Sequence, residues 1–206
     1  MAEARATHWE MVYRSRAAQE VSWYRPHLDA SLALLRQAGL GPDTRVIDVG
    51  GGASTLVDDL LALGVCAVTV LDLSATALAT ARARLGDRAG TVRWLAADLL
   101  EAGFAAARFD LWHDRAVLHF LTEPAQVRRY AEQAAHAVRP GGHAVIGGFA
   151  PDGPERCSGL PVARRAAADI ATALGPAFRL VDQRRELHPT PAGATQAFAY
   201  ALLERV

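Results

Sequence analysis

The chain has 206 residues, a length that suits one domain with its own hydrophobic core. Its 22 basic residues, all arginine, are balanced by 22 acidic ones, which argues against an obligate nucleic-acid or membrane partner. The sequence contains no apolar run of about 18 residues, no recognisable secretory signal and no C-x-x-C pair, so we expect a cytoplasmic protein without a disulfide framework. Cys66 lies in an apolar run, which predicts a core position.

Helical and strand periodicities alternate along the chain, which predicts a largely parallel sheet covered on both faces by helices. Predicted helices cover residues 8–20, 27–37, 54–63, 74–85, 123–138 and 162–174. Predicted strands cover residues 44–49, 66–71, 91–96, 109–113 and 143–149, followed by a closing pair at 178–188 and 195–204. Ser74 is the expected N-cap of its helix. The Arg-Pro-Gly-Gly segment 139–142 is expected to follow the end of a helix, and residues 151–161 form a predicted loop.

A glycine cluster follows the first predicted strand and is the most informative local motif. The strand ends at Asp48 and is followed by Gly50, Gly51 and Gly52. A dinucleotide-binding G-x-G-x-x-G motif would need a third glycine at Thr55, and a phosphate-binding loop would need a lysine, which the chain lacks. The negative charge of Asp48 suits a cationic or zwitterionic ligand better than a pyrophosphate.

A second apolar run ends in Asp72, where a carboxylate at a strand end can accept hydrogen bonds from both hydroxyls of a ribose. The D-V-G-G-G-A-S segment resembles motif I, [D/E]-x-G-x-G-x-G, of the class I S-adenosylmethionine (SAM) methyltransferases, with Ser54 in place of the last glycine. The aromatic segments 9–13 and 21–26 look like those of a group of small bacterial methyltransferases. The resemblance covers nearly the whole chain.

This resemblance implies an α/β three-layer sandwich around a seven-stranded, mostly parallel sheet. The implied strand order is 3-2-1-4-5-7-6, with strand seven antiparallel. All of residues 1–206 would form one domain, with a helical lid and first helix in 1–40 and a Rossmann-like core in 41–206. Ligands would bind at the carboxyl ends of the strands, at the switch between strands one and four.

The resemblance also implies a site for SAM and its product S-adenosylhomocysteine. The residues that it places in this site are Tyr13, Trp23, Asp48, Gly50, Gly51, Gly52, Asp72, Leu73, Asp98, Leu99, Asp114 and Arg115. Aromatic lid residues such as Tyr13 and Trp23 would stabilise the sulfonium cation by ~0.5–2 kcal/mol. Two acids have alternative interpretations: Asp98 could cap a helix, and Asp114 could cap the following helix or pair with Arg115.

The predicted activity is methyl transfer from SAM to a small-molecule nucleophile, such as a thiol or amine, by in-line displacement. His119 and Asp114 are the candidate catalytic bases, since imidazole titrates near neutrality; the alternative is a structurally satisfied histidine in a short helix. Scattered histidines and the absence of asparagine predict no metal site. Cys157, in the loop expected to cover the acceptor, could line the pocket.

Other functions remain open at this point. A protein-lysine methyltransferase would need an open acceptor channel, whereas a non-catalytic module would bind SAM or S-adenosylhomocysteine without turnover. A nicotinamide oxidoreductase is disfavoured by the missing third glycine and by the closing strand pair. The expected partner is a small-molecule acceptor, and the expected assembly is a monomer or homodimer.

Overall fold

A computed structural model describes residues 2–206, and nine strands form its two sheets. The strands are β1 (Arg45–Val49), β2 (Ala67–Asp72), β3 (Arg93–Ala96), β4 (Phe109–Arg115), β5 (Val138–Phe149), β6 (Arg156–Cys157), β7 (Leu160–Pro161), β8 (Phe178–Pro189) and β9 (Thr195–Arg205). The main sheet has the order β3-β2-β1-β4-β5-β9-β8, and β6 pairs with β7 in a separate hairpin.

Six α-helices accompany these strands in residues 2–206. They are α1 (Ala2–Ser15), α2 (Asp29–Gln37), α3 (Leu56–Ala62), α4 (Ala75–Leu85), α5 (Pro124–Ala137) and α6 (Ala167–Leu174). Short 3-10 helices cover Gly86–Thr91 and Leu118–Phe120. The predicted N-cap of α4 is confirmed, because the Ser74 side chain accepts a hydrogen bond from the Ala77 N–H.

The sheet confirms the predicted topology. Strands β1 to β5 pair in parallel, whereas β9 runs antiparallel to both β5 and β8. Successive residues of β1 face opposite sides of the sheet. Val46 packs in a core cluster with residues of α2, α3 and α4, and Ile47 packs in a second cluster with residues of α5 and α6. Helices therefore cover both faces, as the near-continuous apolar strands indicate.

Several local predictions need correction. Helix α1 ends at Ser15, and α6 begins at Ala167, so parts of two predicted helices are irregular. The segment 139–142 lies within β5, where the pairing with β4 shifts register. Cys66 is exposed, because it precedes β2 in the connection after α3 rather than pointing into the core.

The topology brings the carboxyl ends of several parallel strands to one edge of the sheet. Near the carboxyl ends of these strands, Val49 pairs with Leu71 on one side and with Asp114 on the other, and Asp72 pairs with Ala96. The loops after β1, β2, β3 and β4 consequently converge, as expected at a topological switch point. No helix within residues 2–206 is long and apolar enough to span a bilayer.

Candidate functional site

A cavity lies at this converging edge, and it brings together most of the predicted site residues. The predicted residues on its wall are Tyr13, Trp23, Asp48, Gly50, Gly51, Asp72, Leu73, Asp98, Leu99, Arg115 and His119. Two predicted residues, Gly52 and Asp114, are not part of the wall. The cavity is therefore the candidate site, although not every predicted residue reaches it.

The glycine loop fits closely around the Asp48 carboxylate. The Gly50 and Gly51 N–H groups donate to the Leu71 carbonyl at 2.7 and 3.2 Å, which ties the loop to β2. A Cβ atom at Gly51 would lie 2.5 Å from Asp48 Oδ2, so any side chain there would displace the carboxylate. Gly50 has a φ of +66°, which L-residues with side chains rarely adopt.

One carboxylate oxygen of Asp48 is held in place by buried side chains. Asp48 Oδ1 is 2.7 Å from His113 Nδ1, and His113 Nε2 is 2.9 Å from the Ser31 hydroxyl. All three side chains are buried, and we call them the buried relay. Asp48 Oδ2 is also buried but has no hydrogen-bond partner among residues 2–206. The relay thus fixes the carboxylate and leaves one acceptor oxygen free at the glycine loop.

Asp72 lies at the end of the neighbouring strand. Its Oδ1 accepts a hydrogen bond from the Ser74 N–H at 2.8 Å. The pKa of Asp72 is raised to about 7, mainly by burial, with a smaller contribution from the negative charges of Asp48 and Glu10 and against the lowering effect of the Ser74 N–H. A Cβ atom at Gly52 would lie 2.8 Å from Asp72 Oδ2, so Gly52 permits the close packing of this carboxylate from behind the wall.

Asp98 is already engaged on both oxygens. Its Oδ1 accepts the Leu100 N–H at 2.9 Å within a turn, and no helix follows, so the alternative of a helix cap is wrong. Its Oδ2 pairs with the Arg5 guanidinium of α1 at 2.5 Å. Sequence reasoning missed Arg5, because nothing in the local pattern of a helix indicates a partner 93 residues away. A ligand that uses Asp98 Oδ2 must compete with Arg5.

Asp114 does not reach the cavity, which corrects the expectation that it acts as a base or contacts the cofactor. It is fully buried, and its oxygens accept hydrogen bonds from the Val117 and Leu118 N–H groups and from the Tyr130 hydroxyl at 2.7–3.0 Å. Burial raises its pKa to about 6, against the lowering effect of these hydrogen bonds. Asp114 caps the short helix that carries His119.

His119 reaches the cavity, but its surroundings disfavour a role as a base. Burial lowers its pKa to about 3, assisted by the charges of Arg165 and Arg115. The Phe149 N–H donates to Nδ1 at 3.4 Å, so the neutral ring carries its proton on Nε2. At neutral pH His119 is consequently a hydrogen-bond donor, and a weak base.

Aromatic side chains cover the cavity from the N-terminal side. Trp9, Tyr13, Trp23 and Tyr24 all contribute to the wall, together with Phe120. Trp9 packs edge to face on Trp23 and on Phe120, with ring centroids 5.9 and 5.0 Å apart, and Tyr13 packs on Trp23 at 6.2 Å. The aromatic lid expected from the sequence is therefore assembled over the cavity.

The wall also contains residues that sequence reasoning left unassigned. They include Arg25, Phe149 and Phe198, and the wall also contains Cys157, which the sequence suggested could line the pocket. Burial raises the pKa of the Cys157 thiol to about 11. Phe198 comes from β9, far along the chain, and no motif surrounds it, so only the sheet order could reveal that it reaches the site. Residues 2–206 contain no group of three His, Cys, Asp or Glu side chains that could hold a metal ion.

Comparison with known families gives one domain-level match. Residues 46–142 match the family model described as a methyltransferase domain. Over 113 residues, 55% of this chain, the sequence is 26% identical to eEF1A lysine and N-terminal methyltransferase of Danio rerio. The match spans only 16% of the length of that relative.

Solved structures share the fold over nearly the whole chain. One is 1,6-didemethyltoxoflavin-N1-methyltransferase from Burkholderia thailandensis with bound 1,6-didemethyltoxoflavin and S-adenosylhomocysteine. Its superposition has a TM-score of 0.75 and a sequence identity of 24%, and it covers 99% of this chain and 89% of the other. Another is N-methyltransferase NodS from Bradyrhizobium japonicum WM9 in complex with S-adenosylhomocysteine. Its superposition has a TM-score of 0.72 and a sequence identity of 20%, and it covers 95% of this chain and 97% of the other. At these identities the likeness establishes a common fold.

Proposed function

We propose that this chain is a class I, Rossmann-like methyltransferase that transfers a methyl group from SAM to a small-molecule nucleophile. The match of residues 46–142 to a methyltransferase domain supports this proposal. The observation that carries this proposal is the free oxygen of Asp48. A buried carboxylate oxygen without a partner, next to a glycine loop that leaves no room for side chains, fits a cationic group such as the amino group of SAM.

The other cavity residues fit the remaining parts of the cofactor. Asp72, at the end of β2, would accept the ribose hydroxyls. Leu73 and Leu99 would pack on the adenine, and Asp98 would accept from its amino group after release of Arg5. Tyr13 and Trp23 would face the sulfonium, in keeping with the attraction of cations to aromatic rings.

The helix that covers the cavity favours a small acceptor. Helix α1 is fastened over the site, because Glu10 accepts hydrogen bonds from the backbone and hydroxyl of Thr76 while Arg5 holds Asp98. An acceptor presented by a folded protein would have to pass this lid. The relatives include enzymes named for N-methylation of a small molecule and one named for protein methylation, so thiol, amine and lysine acceptors all belong in a first screen.

SAM supplies an electrophilic methyl group on a sulfonium with a neutral leaving group, so the chain has little acid–base chemistry to perform. Its task is to hold the acceptor atom about 3–3.5 Å from the methyl carbon and in line with the carbon–sulfur bond. The buried relay fixes one end of the site, and the aromatic lid excludes water from the other.

A parallel titration with SAM, S-adenosylhomocysteine and NAD tests the proposal. A ligand at a hundred times its dissociation constant should stabilise the native protein by ~2.7 kcal/mol, measured as a rise in Tm. Asp48→Ala should lose the response to SAM, whereas the exposed Asp43→Ala should keep it. Transfer would then be assayed by mass spectrometry against thiols, amines and protein extracts. A response to NAD alone would refute the proposal.

A further inference from the structure

Three buried nitrogen donors among the wall residues described lack partners: Arg25 Nε, Arg115 Nη2 and His119 Nε2. Arg115 donates from Nε to the Tyr200 hydroxyl at 2.9 Å and from Nη1 to the Trp23 carbonyl at 3.0 Å, yet its Nη2 is buried without a partner. His119 Nε2 is likewise buried and without a partner in the described chain. Leaving a buried donor unsatisfied is unfavourable, so each is a position where a ligand oxygen would gain affinity.

Two of these donors, those of Arg115 and His119, border one aromatic wall. His119 packs on Phe149 with ring centroids 4.9 Å apart, Phe149 packs on Phe198 at 5.0 Å, and the Arg115 guanidinium lies 4.4 Å from the centre of the Phe198 ring. The wall belongs to β4, β5 and β9 and to the short helix after β4. In the sheet order it lies on the other side of β1 from Asp72 and Asp98, where the nucleoside would bind.

At this end of the cavity, the Arg115 guanidinium carries a positive charge and has no direct carboxylate partner among residues 2–206. Arg115 and Arg25 line this end, and the carboxylate behind them, Glu186, is separated from Arg115 by the Tyr200 hydroxyl that bridges the two. The nearest described carboxylate to Arg25 is Asp29, at 3.5 Å, with Glu186 at 4.0 Å. The remaining ionisable wall residues here are the neutral His119 and the Cys157 thiol. Neither His119 nor the Cys157 thiol is an effective general base at neutral pH.

On the basis of the proposed methyl transfer, we infer that the acceptor is a flat, acidic molecule that binds as an anion, with an oxygen that accepts N–H bonds from Arg115 and His119. The shared chemistry is a carboxylate or a carbonyl conjugated to a deprotonated ring atom. Charge-assisted bonds of this kind are about twice as strong as neutral ones. Phe149 and Phe198 supply the apolar faces for the ring.

Because the acceptor binds as an anion, methyl transfer to it needs no general base. The lone pair of the anionic acceptor atom forms the bond to the methyl carbon, and the electron pair of the broken carbon–sulfur bond stays on sulfur. The negative charge of the acceptor and the positive charge of the sulfonium cancel, and no proton is released. His119 and Arg115 then act as positioning and specificity residues rather than as proton acceptors.

Benzoate and benzyl alcohol form a matched pair of probes, because they have similar shapes and only benzoate carries an anionic oxygen pair. Binding of each is measured by isothermal titration calorimetry or ligand-detected NMR on protein saturated with S-adenosylhomocysteine. We expect benzoate to bind at least about tenfold more tightly, which corresponds to ~1.4 kcal/mol. Arg115→Met should abolish this preference, Arg115→Lys should keep part of it, and the exposed Arg128→Met should keep it all.

His119→Phe provides a second test that preserves the packing of the ring on Phe120 and Phe149. It should weaken benzoate about three- to tenfold and leave S-adenosylhomocysteine affinity unchanged. Equal affinity for the two probes, or an unaltered preference in His119→Phe, would overturn the inference even if Arg115→Met failed to fold. Failure of the wild-type protein to bind S-adenosylhomocysteine would instead reject the proposed function on which the inference rests.

Discussion

Replacing Asp72 by asparagine should remove a pH dependence that this buried carboxylate imposes on SAM binding. The ionised carboxylate can accept hydrogen bonds from both ribose hydroxyls, whereas the protonated form offers fewer acceptor positions. The pKa of Asp72 is raised to about 7, mainly by burial, with a smaller contribution from the charges of Asp48 and Glu10. Because the pKa is raised, the unliganded protein holds this proton below about pH 7, and SAM affinity should fall as the pH is lowered through that value.

The size of the effect follows from the fraction of ionised Asp72. With a pKa of about 7, this fraction falls about tenfold between about pH 8 and about pH 6, so the dissociation constant for SAM should rise about tenfold. That change corresponds to ~1.4 kcal/mol of binding free energy. At about pH 7, roughly half of the sites are protonated, so binding should release up to about half a proton per SAM.

Isothermal titration calorimetry in two buffers of different ionisation enthalpy measures both quantities. Asp72→Asn retains the shape of the side chain and the other titrating groups, including the amino group of SAM, and therefore isolates the contribution of Asp72. The wild-type protein should show the additional tenfold dependence and the released proton, and the variant should show neither. Parallel pH profiles for the two proteins would refute the assignment of Asp72 to the ribose.

Three further substitutions test other parts of the site. Gly51→Ala should abolish SAM binding, since its Cβ would lie 2.5 Å from a carboxylate oxygen of the buried relay. The control Gly90→Ala should bind SAM normally, because its Cβ would meet no atom within 4 Å. Equal SAM binding by the two variants would contradict the packing argument. Tyr130→Phe should lower the free energy of unfolding by ~1–3 kcal/mol without changing SAM affinity, because Asp114 does not line the cavity. Ser31→Ala should cost a similar amount in urea denaturation, and a loss below ~0.5 kcal/mol would show that the relay is not held by this hydroxyl.

Short-range patterns predicted much of the fold and part of the site. The alternation of helical and strand periodicities predicts the parallel sheet. The patterns near the C-terminus predict the closing strand pair, which the sheet contains as β8 and β9. Asp48 and Asp72 reach the cavity because each lies at or next to the carboxyl end of an apolar strand, and the carboxyl ends of parallel strands share one edge. The glycine loop was recognisable for a similar reason, since its close backbone packing tolerates no side chain.

Side-chain partners were not predictable in the same way. Asp114 lies near the carboxyl end of its strand like the other acids, but its oxygens accept hydrogen bonds from the N–H groups that begin the short helix and from the Tyr130 hydroxyl. The His119 imidazole is a group that can act as a base, but its burial and its contact with the Phe149 N–H make it a neutral hydrogen-bond donor. In both cases the role depends on burial and on groups brought from other strands and helices.

The sequence by itself determined the sheet, the glycine loop and the two strand-end acids, because these features depend on residues that are neighbours along the chain. Only the tertiary structure decided that Arg5 engages Asp98 and that Arg115 and His119 flank a wall formed by Phe149 and Phe198. Such contacts join residues tens of positions apart. Their energies depend on distance, burial and satisfied hydrogen bonds, which no local pattern of residues records.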